Sequence, residues 1–141
     1  MFVGGTLCEE ARLIAAELLG DADRFDMVDF GADELTGGRA HPMIDPTLRL
    51  EQLARATADA RTGAILLDVV LGHGAEPDPG ALLAPAVAAA EVPVVVSVVG
   101  TAHDPQDLDR QVRVLAEAGA EVHLSNAGAT RRAVELLGGN R

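Results

Sequence analysis

Lysine is missing from this chain: all 11 basic residues are arginine. That excludes a Walker A phosphate loop, Schiff-base chemistry and the lysine of a receiver-type phosphoacceptor pocket. Tryptophan and tyrosine are missing too, and Phe2, Phe25 and Phe30 all lie in the first third, so stacking on a flavin or a nucleobase has few candidates. A single cysteine cannot close an internal disulfide, which makes a reducing cytoplasm the expected location. The four histidines, His41, His73, His103 and His123, share no metal-ligand spacing, so no metal site is expected. The longest apolar stretch, Ala86 to Gly100, is interrupted by Glu91 and Pro93 and is too short to span a bilayer. Positive charge is scarce. Against 22 acidic residues the net charge is -11, which gives neither nucleic acid nor an anionic membrane a basic footprint.

The 48% of hydrophobic residues over 141 positions suits one packed domain, residues 1–141. Strand-like and helix-like segments alternate along it. Thr6 to Leu19 places Leu7, Ala11, Ile14, Ala15 and Leu18 on one helical face, with Gly20 as a stop. Phe25 to Phe30 reads as a second strand, a long loop follows, and a helix runs to about Arg61. Ala64 to Leu71 is an apolar run broken only by Asp68, the pattern of a central parallel strand covered on both faces. Further strands are expected over Val92–Val99 and Glu121–Leu124, with helices over Leu82–Ala90, Pro105–Ala118 and Ala127–Leu137.

Five such units predict a three-layer, flavodoxin-like α/β fold with a five-stranded parallel sheet in the order 2-1-3-4-5. Its ligand edge would carry Gly4-Gly5-Thr6, Gly72-His73-Gly74-Ala75-Glu76, Gly100-Thr101-Ala102-His103 and Ser125-Asn126. The first strand is only Met1, Phe2 and Val3, short for a sheet centre, which fits one module of a larger assembly.

Two readings are open for Gly4-Gly5-Thr6. Glycines ahead of a helix let an anion approach free backbone N–H groups. Alternatively, Thr6 and Glu9 form a capping box and satisfy those groups themselves. Asp45-Pro46, Asp78-Pro79 and Asp104-Pro105 each read as an aspartate N-cap followed by a proline in the first helical turn. Asp68 would either manage a proton or charge at a site, or pair with an arginine and accept loop N–H bonds. Cys8 is either a helix-terminal thiolate or a small apolar core residue. Arg39 and His41 lie on the long loop, where an arginine fork suits a carboxylate or phosphate.

With Gly4-Gly5-Thr6-Leu7-Cys8-Glu9-Glu10, Gly37-Gly38-Arg39-Ala40-His41-Pro42-Met43-Ile44-Asp45-Pro46, Ile65-Leu66-Leu67-Asp68-Val69-Val70-Leu71-Gly72-His73-Gly74-Ala75 and Pro105-Gln106-Asp107-Leu108, the chain resembles the FdrA family. That family is similar to acyl-CoA synthetases of the succinyl-CoA ligase α-subunit type. The resemblance covers nearly the whole chain but only the ligase-type, flavodoxin-like domain; a CoA-binding Rossmann domain, expected upstream, is not in this chain.

The resemblance implies a phosphoryl group passing from a nucleotide to a histidine, then to a carboxylic acid as acyl phosphate, with CoA displacing the phosphate. It also implies a link to oxamate carbamoyltransferase-type complexes, where carbamoyl phosphate is the anion. CoA and a nucleotide or carbamoyl phosphate are then substrates of the full assembly, with no tightly bound cofactor. The implied partner is a CoA-binding domain or ligase-type subunit in a homo- or hetero-oligomer. Gly4, Gly5 and Thr6 occupy the place of the ligases' phosphate-binding turn, and Gly100, Thr101 and Asn126 share its edge. Arg39 and His41 would meet a small anionic substrate. The ligases carry their phosphohistidine in a Gly-His-Ala-Gly-Ala loop after the fourth strand, where this chain has Gly100-Thr101-Ala102-His103-Asp104. Asp68, His103 and His73 are therefore the catalytic candidates, and a non-catalytic assembly or regulatory module is the alternative.

Overall fold

Along residues 65–71 successive side chains enter two different cores. Ile65, Leu67, Val69 and Leu71 pack with Leu53, Leu83 and Leu115, whereas Leu66 joins Phe2, Cys8, Ala11, Ala129 and Ala133 on the opposite face. Residues 94–98 divide likewise, with Val94, Val96 and Val98 on the first side and Val95 on the second. Side chains alternate across a strand, so only a continuous apolar run can feed two cores at once. These contacts come from a computed structural model of the chain, which describes residues 1–38, 40–41 and 45–138.

In chain order the elements are α1 (Gly5–Leu19), a single 3₁₀ turn (Ala22–Arg24), α2 (Asp33–Thr36), α3 (Thr47–Ala58), β1 (Ile65–Val70), α4 (Pro79–Ala88), β2 (Val94–Val99), α5 (Leu108–Glu117), β3 (Glu121–His123) and α6 (Asn126–Gly138). The strands are parallel and ordered β1-β2-β3, with Asp68 beside Ser97 and Ser97 beside His123. The α1 and α6 helices pack on each other over one face, and α3, α4 and α5 supply Leu53, Leu83 and Leu115 to the other. Fully buried Leu53, Leu67 and Leu115 each contribute about 1.5–3 kcal/mol to folding.

Among the described residues three strands stand where five were expected. The expected first and second strands meet in one parallel bridge, Phe2 with Asp29. Phe2 N–H donates to Val28 O and Phe30 N–H to Phe2 O, both at 2.8 Å, and the Met1 amine donates to Leu66 O at 2.8 Å. Pairing stops there because Gly4 already turns the chain into α1.

The aspartate caps divide. Asp78 caps α4, accepting Ala81 N–H at 3.3 Å, and Arg110 grips both of its oxygens at 2.7 Å. Asp45 accepts the N–H and hydroxyl of Thr47 from one residue ahead of the cap position. Asp104 does not cap α5. It folds back on Thr101, and α5 starts later, at Leu108, capped by Asp107 through Arg110 N–H at 3.1 Å. Among the described residues no helix is long and apolar enough to cross a membrane.

Candidate functional site

Because the strands are parallel, the loops after β1, β2 and β3 leave one edge of the sheet, and the Val3–Thr6 turn leaves beside them. Asp68 organises that turn. It lies on the α1-facing side of β1, as Leu66 does, and is fully buried. Its Oδ1 accepts Val3 N–H at 2.8 Å and its Oδ2 accepts Gly4 N–H at 3.0 Å. Arg49 of α3 brings Nη2 to 3.3 Å from Oδ1, and the same nitrogen donates to the backbone oxygen of Asp68. Burial pulls the Arg49 guanidinium below its ordinary pKa, and the charge of Asp68 pushes back. Both structural roles open to Asp68 are thus filled: an arginine partner and two loop N–H bonds.

The capping box does not form. α1 begins at Gly5, its N-cap is Gly4, and no side chain caps it. Glu9 turns outward to Arg12, whose Nε donates to it at 3.0 Å. Gly4 O accepts Cys8 N–H, which leaves the first-turn N–H groups of Gly5, Thr6 and Leu7 without a capping side chain. Such groups carry the positive end of the helix dipole.

Two further groups converge on this turn. A methyl group on Gly5 would stand 2.9 Å from Asp29 Oδ2, and one on Gly31 would stand 2.8 Å from His41 Nε2. Asp29 is oriented by Gly31 N–H, which donates to its Oδ1 at 2.8 Å. The carboxylate of Asp29 and the ring of His41 therefore border the start of α1. His41 was expected at a site; Asp29 was not, since nothing in Val28-Asp29-Phe30 marks it. Arg39 lies outside the described residues.

The neighbouring loops are tied down individually. Buried Gln106 accepts Gly72 N–H at 3.1 Å and donates to Gly72 O at 2.7 Å and Glu76 O at 3.2 Å, which braces the loop carrying exposed His73. In the next loop Asp104 Oδ2 accepts both the N–H and the hydroxyl of Thr101, at 2.6 and 3.2 Å. Thr101 Oγ1 in turn accepts His103 N–H at 3.2 Å, and the His103 ring is exposed. Gly100 is confined by Leu71, which a methyl group would strike at 2.8 Å.

Asn126 is buried, and its Nδ2 donates to Leu7 O at 2.9 Å and to Glu10 at 2.7 Å. Its side-chain donors are thus spent on α1, while Ser125 caps α6 through Gly128 N–H. Cys8 is a core residue whose thiol pKa is raised, mainly by burial, so the thiolate reading finds no support. Among the described residues no cluster of His, Cys, Asp or Glu is arranged to hold a metal ion.

A family model described as CoA-ligase matches residues 1–136. The chain is also similar to YahF of Escherichia coli strain K12, at 32% identity over 164 aligned positions that cover 97% of this chain and 32% of YahF. The chain spans about a third of the length of that relative.

Proposed function

The chain belongs to the CoA-ligase family, and from that membership we propose that it is the flavodoxin-like, phosphate-handling domain of an FdrA-type, succinyl-CoA-ligase-like acyl-CoA synthetase. In this reading the Phe2–Asp29 bridge and the Met1–Leu66 bond mark the remaining two places of a 2-1-3-4-5 sheet. The anion rests on the first-turn amides of α1, at Gly5, Thr6 and Leu7. The observation that carries the reading is the uncapped start of α1, held in place by a buried carboxylate that binds the two amides before it.

In this chemistry a carboxylic acid is activated as its acyl phosphate. The CoA sulfur then attacks the acyl carbon, the carbon–oxygen bond to phosphate breaks, and inorganic phosphate departs. The start of α1 would stabilise the phosphate as negative charge builds on it. His41 and Arg39 would meet the substrate, and exposed His73 and His103 are the groups free to carry a proton or phosphoryl group. Asp68 acts here as a positioning residue. A CoA-binding domain or partner subunit would supply the thiol.

A second reading, a non-catalytic assembly or regulatory module of a carbamoyltransferase-type complex, is favoured by one specific observation. Where the ligases carry their phosphohistidine motif, Asp104 occupies both donors of Thr101. Thermal-shift titration with inorganic phosphate, carbamoyl phosphate and CoA tests the anion seat; if none raises the melting temperature with the partner present, the seat is wrong. Incubation with labelled nucleotide and a ligase-type partner separates the two readings. Acid-labile phosphohistidine marks the ligase, and its absence from His41, His73, His103 and His123 marks the module.

A further inference from the structure

Among the described residues one buried side-chain polar atom has no hydrogen-bond partner, the Nε of Arg49. The Nη2 of the same guanidinium is committed to Asp68. A buried N–H without an acceptor is costly, and in a folded protein it calls for something outside the chain to complete it.

Arg49 lines a pocket of about 30 Å³ at the carboxyl edge of β1. The apolar lining includes Val3, Val70 of β1, and Leu82 and Leu83 of α4, and the polar lining among the described residues is Arg49 and Glu76. Leu82 is exposed, so the pocket is reachable from solvent. We propose that this pocket receives the far end of a short hydroxy acid, whose hydroxyl accepts the Arg49 Nε–H and donates to the Glu76 carboxylate. The assignment rests on the ligase reading, in which the carboxyl end of the acid is activated at the start of α1.

Size, charge and hydrogen bonding select the same group. One water occupies about 30 Å³ in the liquid, so the space suits a single oxygen and not the paired heavy atoms of a carboxylate or an amide. Asp68 already balances the charge of Arg49, and Glu76 adds a second negative charge, so a further anion is disfavoured there. Guanidinium only donates and an ionised carboxylate only accepts, whereas a hydroxyl does both. Glu76 Oε1 takes the Asp78 N–H at 3.3 Å, which leaves lone pairs on the carboxylate for another donor. A methyl group would fill the space and leave Nε unpaired.

Val3 sets the length of the acid. It lines the pocket and stands two residues before Gly5, whose amide opens the anion seat. Two residues span about 7 Å at most, a distance that an acid of roughly three to five carbons bridges.

Methyl and arginine side-chain NMR on the full chain tests this with 3-hydroxypropionate, 4-hydroxybutyrate and 5-hydroxyvalerate. Each is compared with the unsubstituted acid of its length (propionate, butyrate, valerate) and with the dicarboxylate (malonate, succinate, glutarate). The expected result is that at one length the hydroxy acid shifts the Val70 and Leu83 methyls and the Arg49 Nε–H. It should bind about tenfold more tightly than both counterparts, since a site built around a hydroxyl rejects the analogue lacking it. Arg49→Lys keeps a cation for Asp68 without an N–H at the place of Nε, and the preference should fall to about threefold or less. If that variant does not fold, the Arg49 Nε–H shift in the unaltered chain decides.

Three results would overturn the proposal: a dicarboxylate or unsubstituted acid that binds as tightly at every length, Val70 and Leu83 methyls unmoved at millimolar acid, or an Nε–H that contacts only water throughout. Inorganic phosphate titrated into the same sample reads the anion seat separately, through the amides of Gly5, Thr6 and Leu7. If those amides respond and the pocket stays silent, this proposal alone fails. If the pocket responds and those amides stay silent, the pocket stands and the seat is wrong.

Discussion

Arg49 and Asp68 form an ion pair in which neither side chain reaches solvent appreciably, 5% and 0% exposed, with Nη2 3.3 Å from Oδ1. Two ends of the molecule hang on it. The carboxylate holds the turn into α1, and the guanidinium joins α3 to the backbone of Asp68. Removing one partner leaves the other buried and uncompensated, so Asp68→Ala is expected to destabilise the fold by about 3–5 kcal/mol. Replacing Arg49 with methionine in the same chain should add much less than the single Arg49→Met does alone. Urea unfolding of both singles and the double measures the coupling; additive effects would show that the pair is not a unit.

Asp29 beside Gly5 places a negative charge where the anion is proposed to sit. Asp29→Asn should therefore strengthen phosphate binding by about 0.3–1 kcal/mol, the ordinary scale of a charge acting on a helix terminus. Gly5→Ala should weaken binding, because the added methyl lies 2.9 Å from Asp29 Oδ2 and displaces one of them. Calorimetric titration with phosphate checks both. Equal affinity in all three proteins would place the anion elsewhere.

The buried amine of Met1 gives a pH dependence with a definite sign. Its pKa falls from 8.0 in the unfolded chain to about 5 in the fold, so between these values the unfolded state holds the extra proton. Stability then rises with pH: the contribution is complete above pH 8 and is lost as pH falls toward 5. An N-terminally acetylated chain has no such proton to gain. Its stability should fall less over the same window, and parallel curves for the two chains would refute the assignment.

Gln106→Leu should loosen one loop without unfolding the domain. It strands Gly72 N–H, Gly72 O and Glu76 O, at a cost of about 1–3 kcal/mol. Hydrogen exchange is expected to accelerate at Gly72 and in the residues around His73, while the amides of β2 keep their protection. Unchanged exchange at Gly72 would show that Gln106 is not what holds the loop.

The apolar run of β1 and β2, broken by Asp68 and Ser97, made the parallel sheet legible because a strand feeding two cores has no room for the usual polar alternation. The partner of Asp68 was not legible: Arg49 sits in Thr47-Leu48-Arg49-Leu50 and looks like any of the other ten arginines until α3 is placed. Thr6-x-x-Glu9 misdirected, since the motif is present but Glu9 finds Arg12 on the helix surface instead. Asp104 misdirected similarly, because closing on Thr101 competes with capping a helix, and Asp107 stands three residues on to take the cap. The convergence of Asp29 and His41 on the start of α1 joins residues far apart along the chain, which no local pattern records.

The bond from Asn126 to the carbonyl of Leu7 spans 119 residues, and the one to Glu10 spans 116. Contacts of that separation form late and slow the search for the native state, since loop-closure entropy must be met before they contribute. Synthesis runs from the N-terminal to the C-terminal side, so the first turn of α1 leaves the ribosome before α6 and waits for it before it is braced. A nascent chain stopped anywhere before Asn126 would carry the whole Gly-Gly-Thr turn and still lack the helix that holds α1 against the sheet.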